Sequence, residues 1–303
     1  MKRKEQKRSK MECNNKQINY KDIIGSFLPL IVAVLAQYVV NIVDVIVLFL
    51  SNMHSSEKTY NSKTIESIMQ EAYNQPMNKA YMTMAQHAVF ILCFGIWYYK
   101  VFYKTKSDGE KLSRRTFLSL RTLFLVIAGF SCQAMMDGIL TMVRPLFPTA
   151  FAQYDKLVST VSGANNSWAM MVAVICLAPI GEELLFRGLI QGYAARYMPA
   201  CFAILFQGVL FGLYHGNLVQ GIYAMILGCI LGFVAHRTKC VIPCIILHFS
   251  INASLFVVPA VWFNGTVRCA LVTAASGIVF FAMLWLVTQT KNKNKKISDR
   301  SSD

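Results

Sequence analysis

The chain has 303 residues, 55% of them hydrophobic and 15% charged, with a mean hydropathy of +0.44. A soluble domain carries about 25% charged residues, so an ordinary soluble globular fold is excluded. The net charge of +15 does not point to nucleic acid, because Lys and Arg gather in the two tails and in the loop "YYKVFYKTKSDGEKLSRR"; in a membrane protein such clusters set orientation and meet anionic headgroups.

Residues 1–22, opening "MKRKEQKRSK", read as a basic cytoplasmic tail. The first apolar run, "FLPLIVAVLAQYVVNIVDVIVLFL" over 27–50, meets the requirement of about 20 apolar residues for a spanning helix and is too long for a cleaved signal peptide. Further spans are predicted near 85–102, 119–143, 168–192, 200–216, 218–235, 241–260 and 267–289. The expected fold class is all-α, a polytopic membrane protein of about eight transmembrane helices. A long outer loop lies over 51–84, where Ile65, Ile68, Met69 and Tyr73 share a helical face and suit either a surface-lying helix or a solvated loop. Residues 144–167 read as a second outer connection. The positive-inside rule places the N- and C-termini in the cytoplasm, and Trp168 and Trp262 then fall at the outer interface. Residues 291–303 form a second basic cytoplasmic tail. No internal repeat of the transporter kind is present. Most of the nine cysteines sit inside apolar runs as small hydrophobes.

The stretch "APIGEELLFRGLI", Ala178 to Ile190, puts charges where the bilayer is expected. A charge near the bilayer centre costs about 2.5–3.5 kcal/mol, so each needs a partner or a purpose. Glu183 and Arg187 are four residues apart, the favourable order for a helical ion pair, and suit scaffold. Glu182 has no partner on its own helix and needs one from another. A buried carboxylate of that kind suits a general base. Two more polar pairs follow: Phe211 with His215 in "FGLYH", and His248 with Asn252 in "CIILHFSIN". Each shares a helical face. Together these groups make a site able to activate water. The map sets Glu182 nearer the inner side and His215 nearer the outer, so the fifth span is expected to run past His215 and bring it to mid-membrane. Cys240 and Cys244 continue the His248 face and read as packing residues. Asn41, Asp44 and Asp137 are buried polar groups expected to find structural pairs, with Arg121 snorkelling.

"EELLFR", "FGLYH" and "HFSIN" resemble the EExxxR, FxxxH and HxxxN motifs of the CAAX-protease and bacteriocin-processing (CPBP, or Abi) family of intramembrane proteases. The resemblance covers about residues 168–260. It implies a catalytic four-helix core over 167–260, preceded by transmembrane helices 1–3 with their long outer loop (23–166) and followed by transmembrane helix 8 (261–290). It implies that Glu182 and His215 polarise the attacking water, that His248 and Asn252 stabilise the oxyanion, and that Glu183 and Arg187 hold the geometry, with Phe211 supporting. The activity implied is that of an intramembrane endopeptidase acting on a membrane-embedded or lipidated protein or peptide. The alternative is a non-catalytic immunity or regulatory scaffold on the same fold. The family has been described both as metalloproteases and as metal-free glutamate proteases. The reading favoured here has no tightly bound metal, and a zinc ion on Glu182, His215 and His248 is the other option. The partners expected are substrate and lipid bilayer, not nucleic acid. Lys- and Asn-rich tails point to a bacterial plasma membrane.

Overall fold

The structure is a computed structural model that describes residues 19–54, 67, 70, 75–105, 120–163 and 168–289. The basic tails before residue 19 and after residue 289, and the surface-helix reading of Ile65, Ile68, Met69 and Tyr73, lie outside the described residues. The described residues are helical, with no strand among them.

Helix α1 runs Tyr20–His54, starting seven residues before its apolar run. Asn19 caps it by accepting from the Lys21 amide at 3.0 Å, and Asp22 favours the positive end of the helix dipole. Helix α2 runs Pro76–Tyr98 and continues in a π-helical turn, Tyr99–Tyr103. Proline at the first helical position opens it. Its early turns carry Asn78 and Lys79, which is why hydropathy alone starts it near 85. Helix α3 covers Leu120–Val143, close to the predicted span.

Helix α4, Pro148–Gly163, is a correction: this stretch was expected to be part of an outer connection. It is too polar to register as a span. It is held by buried Phe151, by the Arg144–Asp155 ion pair, and by Tyr154 set edge-on to Tyr223 of the later helix α7.

Helix α5 is the composite Trp168–Tyr197. Two π-helical stretches interrupt it, Val172–Leu177 and Leu184–Ile190, flanking the α-helical Ala178–Glu183. Helices α6 (Ala200–Tyr214) and α7 (Leu218–Thr238) form a hairpin. Gly216, at φ +65°, makes the turn, a conformation that L side chains resist. Asn217 then caps α7 by accepting from the Gln220 amide. Helices α8 (Ile242–Ser254) and α9 (Thr266–Thr288) complete the fold. Helix α8 ends before the predicted 260.

Six helices among the described residues are long and apolar enough to cross a membrane: α1, α2, α3, α5, α7 and α9. Helices α6 and α8 are apolar but shorter, at 15 and 13 residues. At about 1.5 Å per residue they fall short of a hydrocarbon core about 30 Å thick. The expected run of the fifth span past His215 is therefore corrected. The helix stops at Tyr214, and His215 caps it, its amide bonded to Gly212 O.

Two apolar clusters hold the bundle together. One joins Ala33 of α1, Phe90 and Phe94 of α2, Phe186 and Leu189 of α5, and Phe211 of α6. The other joins Leu125 and Cys132 of α3, Leu231 of α7, Leu247 and Ile251 of α8, and Phe280 of α9. Helices α6 and α7 pack through facing glycines: a Cβ on Gly228 would stand 2.9 Å from Gly208 Cα. Close backbone approach of this kind is how helices associate where lipid removes the hydrophobic drive.

Candidate active site

Helix α5 brings both glutamates into the protein interior. Glu182 is 8% exposed, Glu183 is fully buried and Arg187 is 4% exposed. The Glu183–Arg187 pair expected from spacing is present, with Arg187 Nη1 donating to Glu183 Oε1 at 2.7 Å. Arg187 also donates through Nη2 to Gly228 O at 3.2 Å and lies 4.5 Å over the Phe211 ring. The guanidinium thus ties α5 to α6 and α7. Arg187 Nε and Glu183 Oε2 are buried without hydrogen-bond partners.

Glu183 does more than pair with Arg187. The same Oε1 accepts from His248 Nδ1 of α8 at 2.8 Å. A carboxylate only accepts, so Nδ1 carries the proton and the ring's other nitrogen is turned away from Glu183. That nitrogen, Nε2, lies 3.8 Å from Glu182 Oε2. The partner that Glu182 lacks on its own helix is therefore His248, itself 7% exposed. The gap of 3.8 Å is too long for a direct hydrogen bond and is of the order that water bridges.

His215 packs on Phe211 as well. The Phe211 ring is edge-on to His215 at 4.7 Å and to His248 at 5.9 Å. His215 Nδ1 bonds Phe211 O at 2.8 Å. A carbonyl accepts, so this nitrogen too is the donor. Phe211, read from sequence as a supporting residue, contacts both imidazoles and carries the Arg187 cation on its face. The sequence-predicted residues of α5, α6 and α8 come together.

Asn252 has a structural bond of its own. Its Nδ2 donates to Val174 O at 2.8 Å. The reason lies in the π-helical stretch before Pro179. There the ladder runs five residues back, with Ala178 N–H bonded to Ala173 O. The next bond in that register would join residue 179 to Val174 O, and proline has no N–H to give. Asn252 supplies the missing donor from α8. It braces the helix about two turns before Glu182.

Among the described residues no group of three His, Cys, Asp or Glu side chains is already gathered as metal ligands; Glu182 and the Nε2 atoms of His215 and His248 are the donors that would hold a metal ion. Cys244 is buried and donates to Leu231 O at 3.3 Å, as a packing residue does. Asp137 takes a hydrogen bond from Gln133 at 2.8 Å, the structural pairing expected of it. Asp44 Oδ2 finds no partner among protein atoms.

Sequence reasoning passed over His87 of α2. It is buried, and it lies close enough to Glu182 and His248 to interact electrostatically with both. The signal was faint: a single His near the predicted start of an apolar span.

Residues 164–254 match a family model described as "Rce1-like: Type II CAAX prenyl endopeptidase Rce1-like". The match begins just before α5 and ends at the close of α8. It holds Glu182, Glu183, Arg187, His215, His248 and Asn252. No curated protein and no solved structure matches the chain. The six long apolar helices together with this match mark an integral membrane protein. The resemblance carried by the three motifs thus stands, and residues 164–254 are a CAAX-protease-type region of the Rce1-like family.

Proposed function

We propose that the chain is an intramembrane endopeptidase that hydrolyses a peptide bond of a membrane-associated protein or peptide. The observation that carries this is the buried approach of Glu182 Oε2 to His248 Nε2 at 3.8 Å, each side chain from a different helix. In this reading Glu182 takes a proton from water as the water oxygen adds to the scissile carbonyl carbon. His215, in contact with Phe211, orients the same water. The carbonyl π electrons move to oxygen, which becomes the oxyanion of the tetrahedral intermediate. Collapse of the tetrahedral intermediate breaks the C–N bond, and the proton on Glu182 passes to the leaving amine. Glu183 and Arg187 hold His248 in one tautomer, with Nδ1–H fixed on Glu183. Asn252 braces α5 with one N–H of its Nδ2 on Val174 O, leaving the second N–H of that amide for the oxyanion. No step runs through a metal.

The substrate class suggested by the family is a peptide ending in Cys-aliphatic-aliphatic-X with a prenyl group on the cysteine. A non-prenylated membrane peptide is the competing class for a chain expected in a bacterial plasma membrane. The test is purified full-length protein in detergent, given fluorogenic peptides with and without a farnesyl group. Wild type is expected to cleave one of them, and Glu182→Gln to lose activity by about 10²–10⁴-fold, the contribution of a general base, while remaining folded. Cleavage by Glu182→Gln at the wild-type rate would sink the proposal.

A further inference from the structure

Helix α2 brings a third histidine to this site, from outside residues 164–254 and from outside all three motifs. His87 is 6% exposed. Its ring stands edge-on to Phe90, with centroids 5.7 Å apart, so its plane is fixed by packing. Its Nδ1 is buried without a hydrogen-bond partner. A residue that only packs has no use for a nitrogen at that point; leucine fills such a place without desolvating a polar atom.

The position explains the nitrogen. Gly181 directly precedes Glu182, and a Cβ there would stand 3.5 Å from His87 Nδ1 and 3.2 Å from Phe90 Cβ. Glycine at 181 lets α2 lie against the turn of α5 that carries the carboxylate. His87 interacts electrostatically with both Glu182 and His248. The neighbouring Gln86 donates Nε2 to Tyr214 OH at 3.1 Å, which pins the same turn of α2 to the end of α6 beside His215. One turn of α2 is therefore fastened to α5 on one side and to α6 on the other.

We infer that His87 is a positioning residue of the site: facing α5 beside Gly181, its imidazole orients the Glu182 carboxylate for deprotonating water. This rests on the protease reading, and the test separates the two. The full-length protein is labelled with ¹³C-histidine in detergent, and the His87 signals are assigned by their loss in His87→Gln. Glu182→Gln is expected to move the His87 resonances, a readout that needs no substrate. In the peptide assay His87→Ala is expected to lower kcat by about 10–100-fold, as a misoriented catalytic group does, with KM little changed. His87→Gln, which keeps a polar group of similar reach, is expected to recover part of the loss. His87 resonances blind to Glu182→Gln, or a full kcat in His87→Ala, would overturn the inference. A wild-type chain that cleaves no peptide would instead overturn the protease reading, and the resonances would still decide whether His87 and Glu182 are coupled.

Discussion

Helix α1 has the most apolar 18-residue stretch of the six long helices, yet only 6% of that stretch is buried inside the protein; α5 carries two glutamates and two arginines, and 56% of its most apolar stretch is buried. In a soluble protein that order would be reversed. Here the side chains Val39, Ile42 and Val47 of α1 are exposed to the surround, where apolar tails suit lipid. Glu182, Glu183 and Arg187 of α5 are enclosed by protein, which supplies the partners that lipid lacks. Burial in this molecule follows the need to satisfy polar groups more than the need to hide apolar ones, and the site sits where that need is greatest.

The contrast is sharpest at Arg187. Removing one partner of a fully buried ion pair strands the other. Arg187→Met is expected to destabilise the chain by about 3–5 kcal/mol, measured by denaturant unfolding in detergent. Glu183→Gln combined with Arg187→Met is expected to cost less than Arg187→Met alone, because no charge is then left unpaired. A double variant as damaged as the sum of its parts would show that the pair is not the unit described.

A smaller effect is expected at Asn252. Losing a buried donor that satisfies Val174 O costs about 1–3 kcal/mol, so Asn252→Ala should lower the unfolding midpoint and misplace Glu182. In a Pro179→Ala background the helix regains an N–H of its own, and the cost of Asn252→Ala is expected to shrink. Equal costs in both backgrounds would mean that the asparagine does not stand in for the proline's missing donor. At Gly228 an added methyl meets Gly208 and Phe211, and Gly228→Ala is expected to cost about 1–3 kcal/mol through overpacking of α6 on α7. At the other end of the scale, Val39→Ala on α1 should change stability by less than about 0.5 kcal/mol. A large loss there would reveal a protein partner on the face taken here to meet lipid.

The same contrast explains what could be read from the sequence. Apolar runs announce themselves, and charges inside one of them are costly enough to stand out, so Glu182, Glu183 and Arg187 are legible at once. His215, His248 and Asn252 are legible only as a set, through spacing. Helix α4 is not legible, because its hold on the bundle is a few contacts, Phe151 and the Arg144–Asp155 pair, spread over a polar stretch. His87 is invisible because one imidazole in an apolar helix is usually a packing residue, and only the approach over Gly181 shows otherwise. The job of Asn252 depends on a π-helical register that no spacing rule reports. The fifth span was expected to run past His215, and the helix stops one residue before it.

The central claim is that Glu182 and His248 act as one unit around one water. It is tested most directly by measuring peptide cleavage for wild type, Glu182→Gln, His248→Gln and the double variant, each checked for an unaltered unfolding midpoint. Residues of one catalytic unit are grossly non-additive, so the double variant should lose no more activity than the worse of the two singles. Losses that multiply, or a single variant that cleaves as fast as wild type, would contradict the account.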